Sequence, residues 1–161
     1  MNNPYTDYLR KQSNTENFIL RSICVHPKLK IIYFKPGKAA GTSIFRKNLQ
    51  PRGGWVIHKD NPSEFNKWLQ NINDKELNNY FKFTFVRNPF SRLVSYWYDT
   101  FLSVYPNFKD LVKEGIFNKK GNPKKLHFQT QSGLFSTPEG NILDLDFIGK
   151  VENIDNDWEI L

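Results

Sequence analysis

The sequence is short of several things. It has 161 residues with one cysteine, Cys24, and three histidines. A lone cysteine excludes an internal disulfide and any cysteine-rich metal site. Acidic residues number 16 against 23 Lys and Arg, a formal net charge of +7. That imbalance favours an anionic partner: a nucleotide, an acidic glycan, nucleic acid or a membrane surface. No stretch is apolar for long enough to span a bilayer. The opening "MNNPYTDYLRKQSNTEN" (1–17) is a polar lead-in without the apolar core of a secretory leader. Together these shortages predict a cytoplasmic protein with no membrane span in this chain.

Apolar residues and a generous supply of aromatics, 14 Phe among them, are enough for one real core. Residues 18–161 read as a single domain. Residues 18–25 and 30–34 read as short strands, with Cys24 a buried strand residue and "HPKLK" (26–30) a turn that leaves His26 exposed. A helix over 42–50 is stopped by Pro51 and Gly53-Gly54. In "NPSEFNKWLQNI" (61–72), Asn61 sits at the N-cap, Pro62 at N1 and Glu64 at N3, and Phe65, Trp68, Leu69 and Ile72 share one helical face. "FKFTFV" (81–86) reads as a central strand. A helix starts at Pro89 and carries Leu93, Val94, Trp97, Phe101 and Leu102. A short helix over 107–117, a basic loop at 118–125, a strand at 145–151 and a last helix from Asp155 or Asn156 follow. Strands alternating with helices predict an α/β fold with a largely parallel sheet.

Two segments carry chemistry. The first is "FKPGKAAGTSIFRKNLQ" (34–50), a strand–loop–helix turn of the kind that sets backbone N–H groups against an anion. Ala39, Ala40 and Gly41 let a ligand approach the backbone, Thr42 and Ser43 offer hydroxyls, and Lys38 adds a cation. The Walker order is Gly-x-x-x-x-Gly-Lys followed by Ser or Thr. Here the lysine precedes Gly41, Thr42 stands in its place, and no strand ends in a clear Walker-B acid. A magnesium-dependent nucleoside triphosphatase is therefore disfavoured. The plain structural alternative is a glycine-containing turn with a capping hydroxyl. The second segment is "FTFVRNPFSRLVSYW" (83–97). Arg87 ends an apolar strand, where open α/β sheets bind ligands. Ser95 lies about two helical turns on and can point back to the strand end. Both can hold a phosphate. Arg92 reads as a solvated or structural charge.

Taken together, these residues resemble the sulfotransferases. Lys38 with "AAGTS" is similar to their 5′-phosphosulfate loop, and "RNPFSRLVSYW" to their 3′-phosphate segment, in the same order. "HFQTQSGLF" (127–135) and "LDFIGKVENIDNDWEIL" (145–161) resemble the family 2 carbohydrate sulfotransferases of the Golgi, the chondroitin 4-O type above all. The resemblance covers roughly residues 22–161. It implies a P-loop-like three-layer sandwich of sulfotransferase type, with 3′-phosphoadenosine-5′-phosphosulfate as donor and no metal requirement. The acceptor is then a hydroxyl of a carbohydrate, an acidic glycan included, or of another small compound. It also implies that Lys38, Ala39, Ala40, Gly41, Thr42 and Ser43 hold the phosphosulfate, that Lys38 stabilises the leaving phosphate, and that Arg87 and Ser95 hold the 3′-phosphate. Lys35 contacts donor or acceptor, or is solvated.

The transfer needs a base with a pKa near working pH. His58 and His127 are the candidates, with Glu64 an acidic alternative whose N3 position already has a structural explanation. Glu152 orients a substrate or basic side chain, or is structural. The Golgi relatives carry an anchor and lumenal cysteines absent here, which points away from the Golgi lumen and towards a bacterial or viral type of protein. They also continue past the "DWEIL" end, so the chain is expected to be either short by nature or truncated there. The competing class is a non-catalytic nucleotide- or glycan-binding module. A kinase-like phosphotransferase and a basic nucleic-acid binder, the latter with steeply salt-dependent affinity, are more distant.

Overall fold

A computed structural model describes residues 3–13, 22–116 and 130–161. Five strands form one sheet: β1 (Ile23–His26), β2 (Ile31–Phe34), β3 (Val56–Ile57), β4 (Phe81–Val86) and β5 (Phe147–Lys150), in the order β3-β1-β2-β4-β5. β2, β4 and β5 are parallel, with Phe34 opposite Thr84 and Thr84 opposite Ile148. β1 is antiparallel to both β2 and β3. The α/β class expected from the sequence holds, with an antiparallel margin that the strand–helix alternation did not reveal. β4 is an interior strand, but the middle place belongs to β2.

β1 and β2 are apolar without alternation because both of their faces are covered. One face packs Ile23, Val25, Ile32 and Phe34 against Tyr5, Leu9, Phe65 and Leu69. The other packs Cys24, Tyr33, Phe83 and Phe85 against Ile44, Phe45 and Leu49. Trp158, from the last helix, stacks on Phe85 at 6.0 Å. Helices thus cover both faces, which makes three layers. Gly149 on β5 is what lets Phe85 lie flat there. A Cβ at this position would stand 2.4 Å from the Phe85 ring.

Residues 4–12, read above as part of a polar lead-in, are instead a helix, α1 (Pro4–Gln12). The Asn3 side chain caps it and Pro4 opens it. Tyr5 and Leu9, one turn apart, are buried in the first core, each contributing about 1.5–3 kcal/mol. The helical run after the loop begins as α2 (Gly41–Ile44) and continues through a π turn (Phe45–Leu49) and a 3-10 turn (Gln50–Arg52). α3 (Pro62–Asn71) has the expected cap, the Asn61 side chain accepting from the Glu64 N–H. α4 (Asp74–Asn78) starts with a capping box between Asn73 and Glu76.

α5 (Pro89–Tyr96) runs on through a π turn, Trp97–Phe101. α6 (Phe108–Asp110) is short and also passes into a π turn, and α7 (Ile154–Ile160) closes the described chain. Residues 18–21 of the first expected strand, Phe117 of the expected 107–117 helix, and the basic loop 118–125 lie outside the described residues.

Candidate functional site

The carboxyl ends of β2, β4 and β5 share one edge of the sheet, as the parallel register requires. Ligands of open α/β sheets sit at such an edge. Two strand–turn–helix connections meet there, 35–41 after β2 and 87–89 after β4.

The first turn is conformationally unusual. Lys38 and Ala40 both have left-handed backbone, φ 64° and 54°, a region that costs a non-glycine residue about 1–2 kcal/mol. Successive peptides wound in this way make an anion-binding concavity. Ala39 is fully buried beneath the turn. Gly41 is needed for a different reason. A Cβ there would lie 2.3 Å from Cγ of Lys35, whose stem crosses the start of α2. Thr42 and Ser43 are exposed on the first turn of that helix, where their hydroxyls are free to meet solvent-borne oxygens.

The second turn is conventional. Asn88 caps α5 by accepting from the N–H groups of Phe90 and Ser91, at 3.0 and 3.2 Å, and Pro89 occupies N1. Its main chain is clamped from two sides. Gln131 accepts from the Arg87 N–H at 2.9 Å and donates to the Arg87 carbonyl at 2.7 Å. Glu152 accepts from the Asn88 N–H at 2.8 Å. That hydrogen bond is the leading reason the Glu152 carboxyl is held below its ordinary pKa.

The second segment holds the first in place. Arg92 donates from Nε to the Gly37 carbonyl at 2.9 Å, and Arg87 from Nη1 to the Lys38 carbonyl at 3.4 Å. Burial pushes the Arg92 pKa down, as expected for a guanidinium with a structural task. The ammonium of Lys38 pairs with Asp99 and lies 5.9 Å from the centre of the Tyr96 ring. Ser95 is half-buried on α5, in the same helix as Arg92. Lys38, Gly41, Arg87 and the α5 face are thereby brought to one place.

Other candidates fall differently. Lys35 is half-buried with its Nζ 5.9 Å from the Phe45 ring centre. His58 is 7% exposed and packs edge-on against Phe65 of α3, ring centres 5.6 Å apart. Phe65 belongs to the core on the opposite face of the sheet from α2. His127 lies outside the described residues. Glu64 is used by the Asn61 cap, its carboxylate accepting from Asn61 Nδ2 at 2.7 Å. His26 corrects an expectation: it ends β1 rather than lying exposed in the turn, and it is 5% exposed beneath Trp55. Its Nδ1 accepts from the Leu29 N–H, which commits the ring to the turn.

Sequence reasoning missed Asp99 and Gln131. Asp99 had a findable signal, since Arg92, Tyr96 and Asp99 are spaced four and three apart and share a helix face. Gln131 had none, because its partner is backbone forty-four positions away.

Cations and a left-handed turn converging at the ends of parallel strands form a site suited to a ligand with more than one anionic group. The family model described as "Sulfotransferase family" matches residues 21–161, and the chain belongs to that family. Comparison with curated proteins and with solved structures gives no match. Among the described residues no helix is long and apolar enough to cross a membrane, and no group of His, Cys, Asp and Glu is arranged to hold a metal ion.

Proposed function

We propose that this protein transfers a sulfuryl group from 3′-phosphoadenosine-5′-phosphosulfate to a hydroxyl, with a carbohydrate as the acceptor class. The observation that carries this reading is the junction of the two turns. Arg87 and Arg92 hold carbonyls of the very loop whose lysine faces α5. One ligand spanning both turns would need anionic groups at two separated points, as this donor has and a simple sulfate or monophosphate has not. The loop fits the donor's phosphosulfate end: left-handed backbone at Lys38 and Ala40, and no side chain on Gly41.

The roles follow from charge. Thr42, Ser43 and the backbone of 39–41 hold the phosphosulfate oxygens. Arg87 forks onto the 3′-phosphate, with Ser95 donating beside it. As the acceptor oxygen bonds to sulfur and the bond to the bridging oxygen breaks, charge builds on the departing 5′-phosphate. Lys38 neutralises it there. The acceptor proton passes to a base. His58 is committed to its contact with Phe65, so its removal is expected to cost stability as well as rate. His127 is tested separately by His127→Ala.

Asp99 has a place in this reading. It occupies the Lys38 ammonium, so the donor exchanges one anion for another rather than meeting a bare cation.

The test is transfer of labelled sulfate from the donor to a panel of neutral and acidic oligosaccharides in the presence of a chelator. Transfer is expected with chelator present and is expected to fall at least about a hundredfold in Lys38→Ala, the scale of removing one transition-state cation or donor. A folded protein that transfers nothing, or a Lys38→Ala variant as active as the wild type, overturns it.

A further inference from the structure

A cleft of about 220 Å³ runs along the open edge of β3, on the same face of the sheet as α2. Phe45, Gln50, Gly54, Trp55, Ile57 and Asp60 are among its lining residues. Its wall is an aromatic stack. The Trp55 ring is held edge-on between His26, 5.4 Å away at 84°, and Phe45, 5.8 Å away at 83°. Gly54 makes the close packing possible. Its φ is +72°, and a Cβ there would stand 2.6 Å from Nε2 of His26.

The cleft adjoins the loop through one side chain. The Lys35 stem crosses Gly41, and its ammonium lies 5.9 Å from the centre of the Phe45 ring. Lys35 directly follows β2 and Asp60 follows β3, and Cys24 of β1 pairs with Tyr33 on one side and Ile57 on the other. Both charges therefore stand at the loop end of β1 and β3.

We propose that this cleft is the acceptor subsite and that it takes a single neutral sugar ring. The proposal rests on the sulfuryl-transfer reading above. A sugar ring has an apolar C–H face and a rim of hydroxyls. The half-buried Trp55 ring, backed by the buried Phe45, matches the face. Gln50 and Asp60, both exposed at the rim, match the hydroxyls with an amide and an acceptor-only carboxylate. The Asp60 charge selects a neutral ring over a uronate at this position. The volume is below the range of about 300–1,000 Å³ that encloses drug-sized ligands, so it suits one ring and leaves the rest of a glycan outside.

The test uses saturation-transfer NMR with methyl β-galactopyranoside and methyl β-glucuronide. Both are titrated onto the full chain saturated with adenosine 3′,5′-bisphosphate, whose own affinity is measured alongside. The neutral glycoside is expected to bind and the uronide to bind more weakly. Trp55→Ala is expected to weaken the neutral glycoside about tenfold, the scale of losing an aromatic anchor. Asp60→Asn, which leaves the aromatic packing intact, is expected to weaken it by a similar factor through loss of a charged acceptor. The bisphosphate affinity stays within about twofold in both, as for sites without shared partners. Unchanged glycoside binding in both variants overturns the cleft. A wild type that binds the bisphosphate but neither glycoside overturns the sugar assignment. Loss of bisphosphate affinity in Trp55→Ala reassigns the cleft to the donor's adenine and overturns the proposal. A wild type that does not bind the bisphosphate overturns the sulfuryl-transfer reading, and this proposal with it.

Discussion

The two turns at the sheet edge are built on opposite plans. The turn after β4 is locally self-sufficient: Asn88 caps, Pro89 opens the helix, and Gln131 and Glu152 grip its backbone. The turn after β2 is not. It has two left-handed non-glycine residues, a buried alanine and no side-chain cap on its helix. Its carbonyls at Gly37 and Lys38 are held by arginines of the other segment. The lesson is one of division of labour. A loop shaped for a ligand gives up its own stabilising contacts, and a regular neighbour supplies them.

The largest break in that arrangement comes from Arg92→Ala. Removing a charged, half-buried donor from the Gly37 carbonyl is expected to cost about 2–3 kcal/mol of stability. Because the loop loses its brace, affinity for adenosine 3′,5′-bisphosphate is expected to fall about a hundredfold, the binding equivalent of that energy. Thermal unfolding and calorimetry check both. An unchanged affinity would mean the loop holds its own shape.

Gln131→Ala strikes the opposite turn. Two hydrogen bonds to the Arg87 main chain are lost, worth about 1–2 kcal/mol together. Bisphosphate affinity is expected to drop about tenfold through a displaced Arg87, while the loop, still held by Arg92, keeps its protease resistance. Equal damage to the loop would erase the distinction between the turns.

Asp99→Asn sharpens the comparison in the other direction. It frees Lys38 from an exposed ion pair worth less than about 1 kcal/mol. Bisphosphate binding is expected to tighten by a few-fold, more so at low salt. Weaker binding would show that Asp99 positions Lys38 rather than competing for it.

Acid tests the clamp of the second turn. Glu152 has its folded pKa below the unfolded value of about 4.3. Its contribution is therefore present above that value and is lost as pH falls through the folded pKa. Glu152→Gln is expected to flatten the acid side of the stability curve below about pH 4.5, and to leave the neutral region with a lower plateau. An unaltered acid limb would remove Glu152 from the clamp.

The smallest effect is expected from Ala40→Gly. It relieves a left-handed alanine, worth about 1–2 kcal/mol, and gives back roughly half of that in unfolded-chain entropy. A net gain of under about 1 kcal/mol is the expected result, read by denaturant unfolding.

How much of this was legible follows the same division. The second turn was readable because its contacts are local: Pro89 and Asn88 announce a helix start, and Arg87 stands at the end of an apolar strand. The loop's composition was readable, but its support was not. Arg92 reads from the sequence as a structural or solvated charge, and only tertiary packing shows that it braces Gly37. α1 has an Asn3-Pro4 start followed by Tyr5 and Leu9, but its polar surroundings hide that signal. β3 has two residues, too few for any periodicity. The antiparallel margin of the sheet depends on β1 pairing with β2 across a short turn. The short 26–30 turn does require that pairing, so this half of the margin was legible, whereas the addition of β3 to the outer edge of β1 was not. The π turns after α2 and α5 leave no compositional mark. His58 read as a candidate base and His26 as an exposed turn residue, and only tertiary packing shows that both are buried, against Phe65 and Trp55.

The central claim is that Arg87 reads a second phosphate while the loop holds the first. Calorimetry with two ligands on two proteins tests it: adenosine 3′,5′-bisphosphate and adenosine 5′-monophosphate, without magnesium, on the wild type and on Arg87→Ala. The account predicts that the wild type prefers the bisphosphate by at least about a hundredfold, the scale of a charged, bidentate contact, and that Arg87→Ala abolishes the preference while weakening the monophosphate only by the few-fold that loss of the long contact to the Lys38 carbonyl brings. Equal weakening of both ligands would contradict it and would leave Arg87 with the bracing role alone, like Arg92.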